Sequence, residues 1–182
     1  LPEAEARELL SQAAEVALAQ GEGVRAAEFL LEAGRFGHAA DLLLREGRAW
    51  LERGLTYTVL RLLAHLPEGV RRGRTGLLLL EAEALRQAGR YREAEAAYLR
   101  ALEAGEDQAH LGLVRLFLDT VEPARARPYL EEALRRFPEE ARPLLAENLL
   151  NEGRPEEACA LGLAGPRVPL RQGRPWEALS LL

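Results

Sequence analysis

One seven-residue pattern returns four times and constrains the fold more than any other feature of the chain. Ala33-Gly34-Arg35-Phe36-Gly37-His38-Ala39 is echoed by Ala88-Gly89-Arg90-Tyr91-Arg92-Glu93-Ala94. It returns as Glu152-Gly153-Arg154-Pro155-Glu156-Glu157-Ala158 and as Gln172-Gly173-Arg174-Pro175-Trp176-Glu177-Ala178. Each copy reads as a helix stop followed at once by a helix start. Gly takes the left-handed conformation just past a helix C-terminus, and Arg follows in the turn. An aromatic residue or Pro then opens the next helix, a position that suits Pro. The Ala four residues after Arg is small, which lets the two helices of a hairpin approach closely. A chain punctuated in this way is a succession of helical hairpins.

Between the turns the apolar residues keep helical spacing. Leu77, Leu78, Leu80, Ala82, Leu85 and Ala88 wrap one broad face. Ala94, Ala97, Tyr98, Ala101 and Leu102 follow the three–four interval of a core-facing stripe. Composition agrees: Ala, Leu, Glu and Arg dominate, all strong helix formers, and β-branched residues are scarce. The spacing predicts helices over 4–20 with 23–33, 36–52 with 55–65, 75–88 with 91–104, 107–119 with 122–136 and 139–151 with 155–163. A last incomplete pair starts near 168, after a break at Gly162, Gly165, Pro166 and Pro169. The Gly-rich stretch 67–76 is predicted as the longest loop. It separates N-terminal hairpins over 1–66 from repeats over 77–182 that turn irregular after 162, the two stacking as one solenoid. Phe36, Trp50, Tyr91, Tyr98 and Phe117 are predicted to be packing residues and Cys159 a small buried one. Trp176 fills the aromatic slot of the last turn.

Thr75 to Asp107 resembles a tetratricopeptide repeat, with Ala82, Gly89, Tyr91, Ala94, Tyr98, Ala101 and Leu102 at the family's intervals and Glu106 in place of its late Pro. A second unit resembles it through Ala126, Leu130, Ala133, Leu134 and Pro138, although its turn, Thr120-Val121-Glu122-Pro123, lacks Gly. A third keeps Gly153 and Ala158, then departs at Gly162. The resemblance implies an all-α fold, a superhelical stack of antiparallel helix pairs (a tetratricopeptide-like α-solenoid) of about eleven helices.

A narrower likeness covers residues 24 to 104. Ala26-Ala27-Glu28-Phe29-Leu30-Leu31-Glu32-Ala33-Gly34-Arg35 is followed by Ala39-Ala40-Asp41-Leu42-Leu43, Trp50-Leu51-Glu52-Arg53-Gly54 and Leu62-Leu63-Ala64-His65-Leu66-Pro67-Glu68. This order is similar to the helical region of the MalT-type, LuxR-family transcriptional activators. Those regulators carry an ATP-hydrolysing switch module, a helical superhelix that senses an inducer, and a helix-turn-helix. The resemblance implies an inducer-sensing or oligomerisation arm, with a protein or a small-molecule inducer as partner and self-association as a further role. The alternative is a general tetratricopeptide scaffold that holds a partner protein or peptide in its concave groove. A chain without Met that opens on Leu1-Pro2 and closes inside an apolar pattern reads as a piece of a longer protein.

The chemistry in the sequence favours binding over catalysis. All 24 positive charges are Arg, so a phosphate loop with its Lys cannot be built from these residues. A formal net charge of −5 argues against direct nucleic-acid contact by this segment. Arg71, Arg72 and Arg74 form one local basic cluster, read as a solvated loop. No apolar run approaches a membrane span, and the single Cys159 fits the cytoplasm and excludes an internal disulfide. His38, His65 and His110 never stand at ligand spacing, and Ser11 and Ser180 are the only serines, so neither a metal site, a cofactor nor a catalytic nucleophile is predicted. The first helix of each pair lines the concave side of such a stack. Its polar residues off the core stripe are therefore the groove-binding candidates: Glu83, Gln87, Arg115, Asp119, Glu147, Asn148 and Asn151. The two asparagines stand out, because Asn is a poor helix former. Asn151 has a second explanation, since Asn is tolerated at a helix end ahead of Gly153.

Overall fold

Seven helices end in one way in the computed structural model, which describes residues 2–161. In the turn at Gly89 the N–H of Arg90 donates to Leu85 O at 2.9 Å, and that of Gly89 donates to Arg86 O at 3.0 Å. This paired closure satisfies two of the carbonyls that a helix leaves open at its C-terminus. Gly21, Gly34, Gly54, Gly105 and Gly153 close their helices by the same bonds, all at φ between 70° and 90°.

The seventh closure has the same hydrogen bonds without the Gly. Glu122 N–H donates to Phe117 O at 2.7 Å and Val121 N–H to Leu118 O at 3.1 Å, and Val121 stands at φ 57°. The missing Gly noted in the sequence therefore has not changed the turn; a β-branched residue has been forced into it. Left-handed backbone costs an L-residue about 1–2 kcal/mol. The Val121 side chain is 65% exposed, so little packing is lost with it. Val121→Gly should raise stability by about 1 kcal/mol after the extra unfolded-state freedom of Gly is set against the relieved strain. A thermal melt checks this: the midpoint rises by a few degrees, and an unchanged or lower midpoint refutes the strain.

Eleven helices and no strand are present among the described residues: α1 (Glu3–Ala19), α2 (Gly23–Glu32), α3 (Phe36–Glu52), α4 (Thr56–Ala64), α5 (Glu68–Arg72), α6 (Gly76–Gln87), α7 (Tyr91–Glu103), α8 (Ala109–Asp119), α9 (Pro123–Arg136), α10 (Pro138–Asn151) and α11 (Pro155–Ala160). Ten of them are the helices that the spacing predicts. The predicted pair from 168 lies outside the described residues, as does Trp176. The additional helix is α5, inside the stretch read as loop, where Pro67 supplies the extended entry and Glu68 and Arg72 pair at 2.6 Å. A five-residue helix is too short for apolar periodicity to reveal it.

The chain divides into two compact units, residues 1–106 and 107–182, and stretch 67–76 lies inside the first. In unit 1 the hairpins α1–α2, α3–α4 and α6–α7 pack in chain order, α2 also meeting α3 and α4 meeting α6. Its core joins Ala26, Ala27, Leu43, Trp50, Val59, Leu62, Leu63 and Leu77. In unit 2 α8 pairs with α9, α10 with α11, and the two first helices, α8 and α10, touch.

Tyr98 and Phe117 are enclosed as expected, while Phe36 is only half-buried. Tyr91 is a correction at 39% exposed: it opens α7 at the hairpin tip, where the stripe runs out of neighbours. Cys159 is a second correction. It is exposed, because Ala158, one position earlier, occupies the packed face of α11.

Candidate functional site

The fold sorts the seven candidates into different surroundings. Glu83 and Gln87 lie in unit 1, on α6. The Glu83 carboxylate meets the Arg86 guanidinium at 3.2 Å, both side chains less than a quarter exposed. Behind them stands the Tyr98 hydroxyl, whose burial, helped by the Glu83 charge, raises its pKa far above the ordinary phenol value. That phenol stays a neutral donor throughout the physiological range. Gln87 accepts a hydrogen bond from the Thr56 hydroxyl at 3.1 Å and so ties the start of α4 to the end of α6.

The other five candidates lie in unit 2. Between Leu111 and Leu118 every residue of α8 is buried except Arg115, and Asp119 follows one turn later on the same strip. Glu147 and Asn151 occupy one strip of α10 in the same spacing, both half-exposed. Since α8 and α10 are packed neighbours, the two strips run on adjacent helices.

Asn148 does not belong with them. It is 2% exposed, on the side of α10 that packs toward α9 and α11. Its Nδ2 donates to Glu152 Oε1 at 3.2 Å, while its Oδ1 meets no donor. One residue of offset turns a helical side chain by about 100°, and this separates Asn148 from Glu147. Its burial takes Asn148 off the first-helix strip, and of the two asparagines Asn151 is the one that lies on it. Asn151 is also the last residue of α10, two positions before Gly153.

Beside Asn148 lies a cluster that the sequence reading missed. Glu152, with its side chain 10% exposed, accepts from Arg127 Nη2 at 2.7 Å and from Arg154 Nη1 at 2.9 Å. The Arg127 bond is the main reason its carboxyl is held below the ordinary Glu range. Arg154 also forks onto Glu157 at 2.7 and 2.6 Å, and Arg90 forks onto Glu93 in the same way at 2.8 and 2.5 Å. The signal was present in the repeated turn. Arg just after Gly and Glu three residues on are a first-turn ion pair that holds the entering helix.

No His, Cys, Asp and Glu cluster suited to a metal ion exists among the described residues. His65 and His110 each donate Nδ1–H to a backbone carbonyl, Arg61 O at 2.7 Å and Asp107 O at 2.9 Å. No described helix is long and apolar enough to cross a membrane.

The family model of the tetratricopeptide repeat matches residues 79–141 and, overlapping them, 111–169, together half of the chain. The chain is a tetratricopeptide-repeat protein. The first match begins within α6 and the second within α8, the first helices of successive hairpins. The match thus takes in most of the regular repeat at 75–107, from residue 79 on, and both of the weaker ones. No curated protein matches the chain.

Proposed function

We propose that this tetratricopeptide chain is a scaffold that binds a segment of a partner protein across the α8–α10 strips, through Arg115, Asp119, Glu147 and Asn151. The reading is supported above all by α8, where Arg115 interrupts the otherwise buried run from Leu111 to Leu118 and Asp119 follows one turn later. A strip of two acids, one base and one amide can read an extended peptide. The Asn amide offers both donor and acceptor to a peptide backbone, and the charges select side chains of opposite sign. Tetratricopeptide repeats are generally non-catalytic scaffolds, in agreement with this role.

The test is a peptide selected from a displayed random library on the whole chain, then titrated as a labelled peptide. Arg115→Glu and Asn151→Ala should each weaken it at least tenfold, and Arg48→Ala, on the exposed side of α3, should leave it unchanged. Equal binding by all variants rules the strips out.

The likeness over 24–104 supports a narrower second reading: a cytoplasmic arm of a MalT-type activator that senses a small inducer or self-associates, with 1–66 and 77–182 as two parts of one solenoid. A thermal-shift panel of sugars and metabolites, with sedimentation across a wide concentration range, tests it. No shift and a monomer throughout would remove it.

A further inference from the structure

A groove in unit 1 holds the one arginine of the 71–74 cluster that the fold leaves incompletely satisfied. Each member of that cluster has a carboxylate partner. Arg72 pairs with Glu68 at 2.6 Å, Arg74 with Asp41 at 2.7 Å, and Arg71 with Glu81 at 3.6 Å. Only the last is too long for a hydrogen bond. The same Glu81 carboxylate also faces Arg100 at 3.9 Å through its other oxygen. Arg71 Nε is shut off from solvent and has no acceptor. One carboxylate therefore stands between two guanidinium groups and satisfies neither.

The groove around them has a volume of about 700 Å³ and runs between α4, α5, α6 and α7. Leu60, Ala64, Leu85 and Ala96 make its apolar wall. Arg90 and Glu93 also line it, but their forked pair is closed on itself. The helix α5 creates the arrangement: it carries Arg71 over a gap that a plain loop would leave open.

We propose that this groove is a binding site for a carboxylate of a partner polypeptide, taken up between Arg71 and Arg100 with an apolar side chain of the same segment against Leu60 and Leu85. A guanidinium presents a planar fork of donors matched to a carboxylate, and two such forks flank the place. Glu81 limits the charge that fits. A monoanion is balanced by the second guanidinium, whereas a phosphate dianion meets repulsion from Glu81 and Glu93. The site uses none of the residues assigned to the α8–α10 strips and stands or falls apart from them.

The probe is a labelled peptide, acetyl-Ala-Leu-Glu-Leu-Glu-Ala-amide, read by fluorescence anisotropy on the whole chain at low salt, with its Gln counterpart and inorganic phosphate as competitors. Arg71→Gln and Arg100→Gln should each weaken the acidic peptide about tenfold, the loss of one charge-assisted bond of roughly 1.4 kcal/mol. Arg72→Gln should not change it. Glu81→Gln carries the opposite sign: with the internal carboxylate neutralised, both guanidinium groups are released and binding tightens several-fold. This gain cannot come from misfolding. Equal affinity of the Gln peptide, stronger competition by phosphate, or no tightening in Glu81→Gln would each overturn the proposal.

Discussion

Phe117→Ala should remove about 4 kcal/mol of stability, within the range for deleting a buried aromatic side chain. Phe117 is 1% exposed, stacked on Tyr129 with ring centroids 5.8 Å apart, and capped by the Arg125 guanidinium at 4.3 Å from its ring centre. Its backbone carbonyl also closes the strained turn at Val121. Three contributions therefore fail together: buried area, the ring stack, and a cation held over the ring face, the last two worth about 0.5–1.5 kcal/mol each. Domains are stable by only about 5–15 kcal/mol, so the loss moves the urea midpoint by a large fraction. Phe117→Leu should lose about half as much, because area survives while the ring contacts do not. A loss below about 1.5 kcal/mol for the Ala variant would mean that unit 2 refills the space and that Phe117 does not organise it.

The hairpins were legible in the sequence because their signal is local. Gly at a left-handed helix stop declares six of the seven turns, and an aromatic residue or Pro opens the helix after three of those six. Spacing then supplied the helices between. What escaped was whatever lacked periodicity or depended on a partner far along the chain. The helix α5 is too short to show a period, and Pro67 and three Gly residues in its surroundings spoke for a loop. Cys159 was misplaced because a lone small residue carries no indication of which side of a short helix it takes.

The candidate site was legible only as far as helix phase could be read. Arg115, Asp119, Glu147 and Asn151 stand out in the sequence as polar residues off the apolar stripes of α8 and α10. Asn148 stands out in the sequence by residue type, but it is buried. A buried Asn tied to Glu152 looks the same in sequence as an exposed one. The Arg71 groove could not be read at all, since it joins residues of four helices through one shared carboxylate.

The close approach of α3 and α6 gives the second large effect, at a residue whose role is to have no side chain. A Cβ built on Gly47 would lie 2.5 Å from Leu80 Cδ2 and 3.1 Å from its Cδ1, and one on Gly76 would lie 2.9 Å from Leu44 Cδ2. Each helix thus receives a Leu of the other where its own side chain is missing. Gly inside a helix costs about 1 kcal/mol relative to Ala, so the contact must return at least that much. Gly47→Ala should be close to neutral, because the gain in helix propensity is offset by a small shift of the flexible Leu80 end. Gly47→Leu cannot be absorbed in this way and should cost about 2–3 kcal/mol by overpacking. Leu80→Ala alone should cost about 2–4 kcal/mol through the space it empties. If the two side chains compete for one place, the double variant should be more stable than the sum of the single losses by about 1–2 kcal/mol. Urea denaturation of the four proteins closes that cycle. Additivity to within about 0.5 kcal/mol would show that residues 47 and 80 do not share the space, and that α3 and α6 are held together elsewhere.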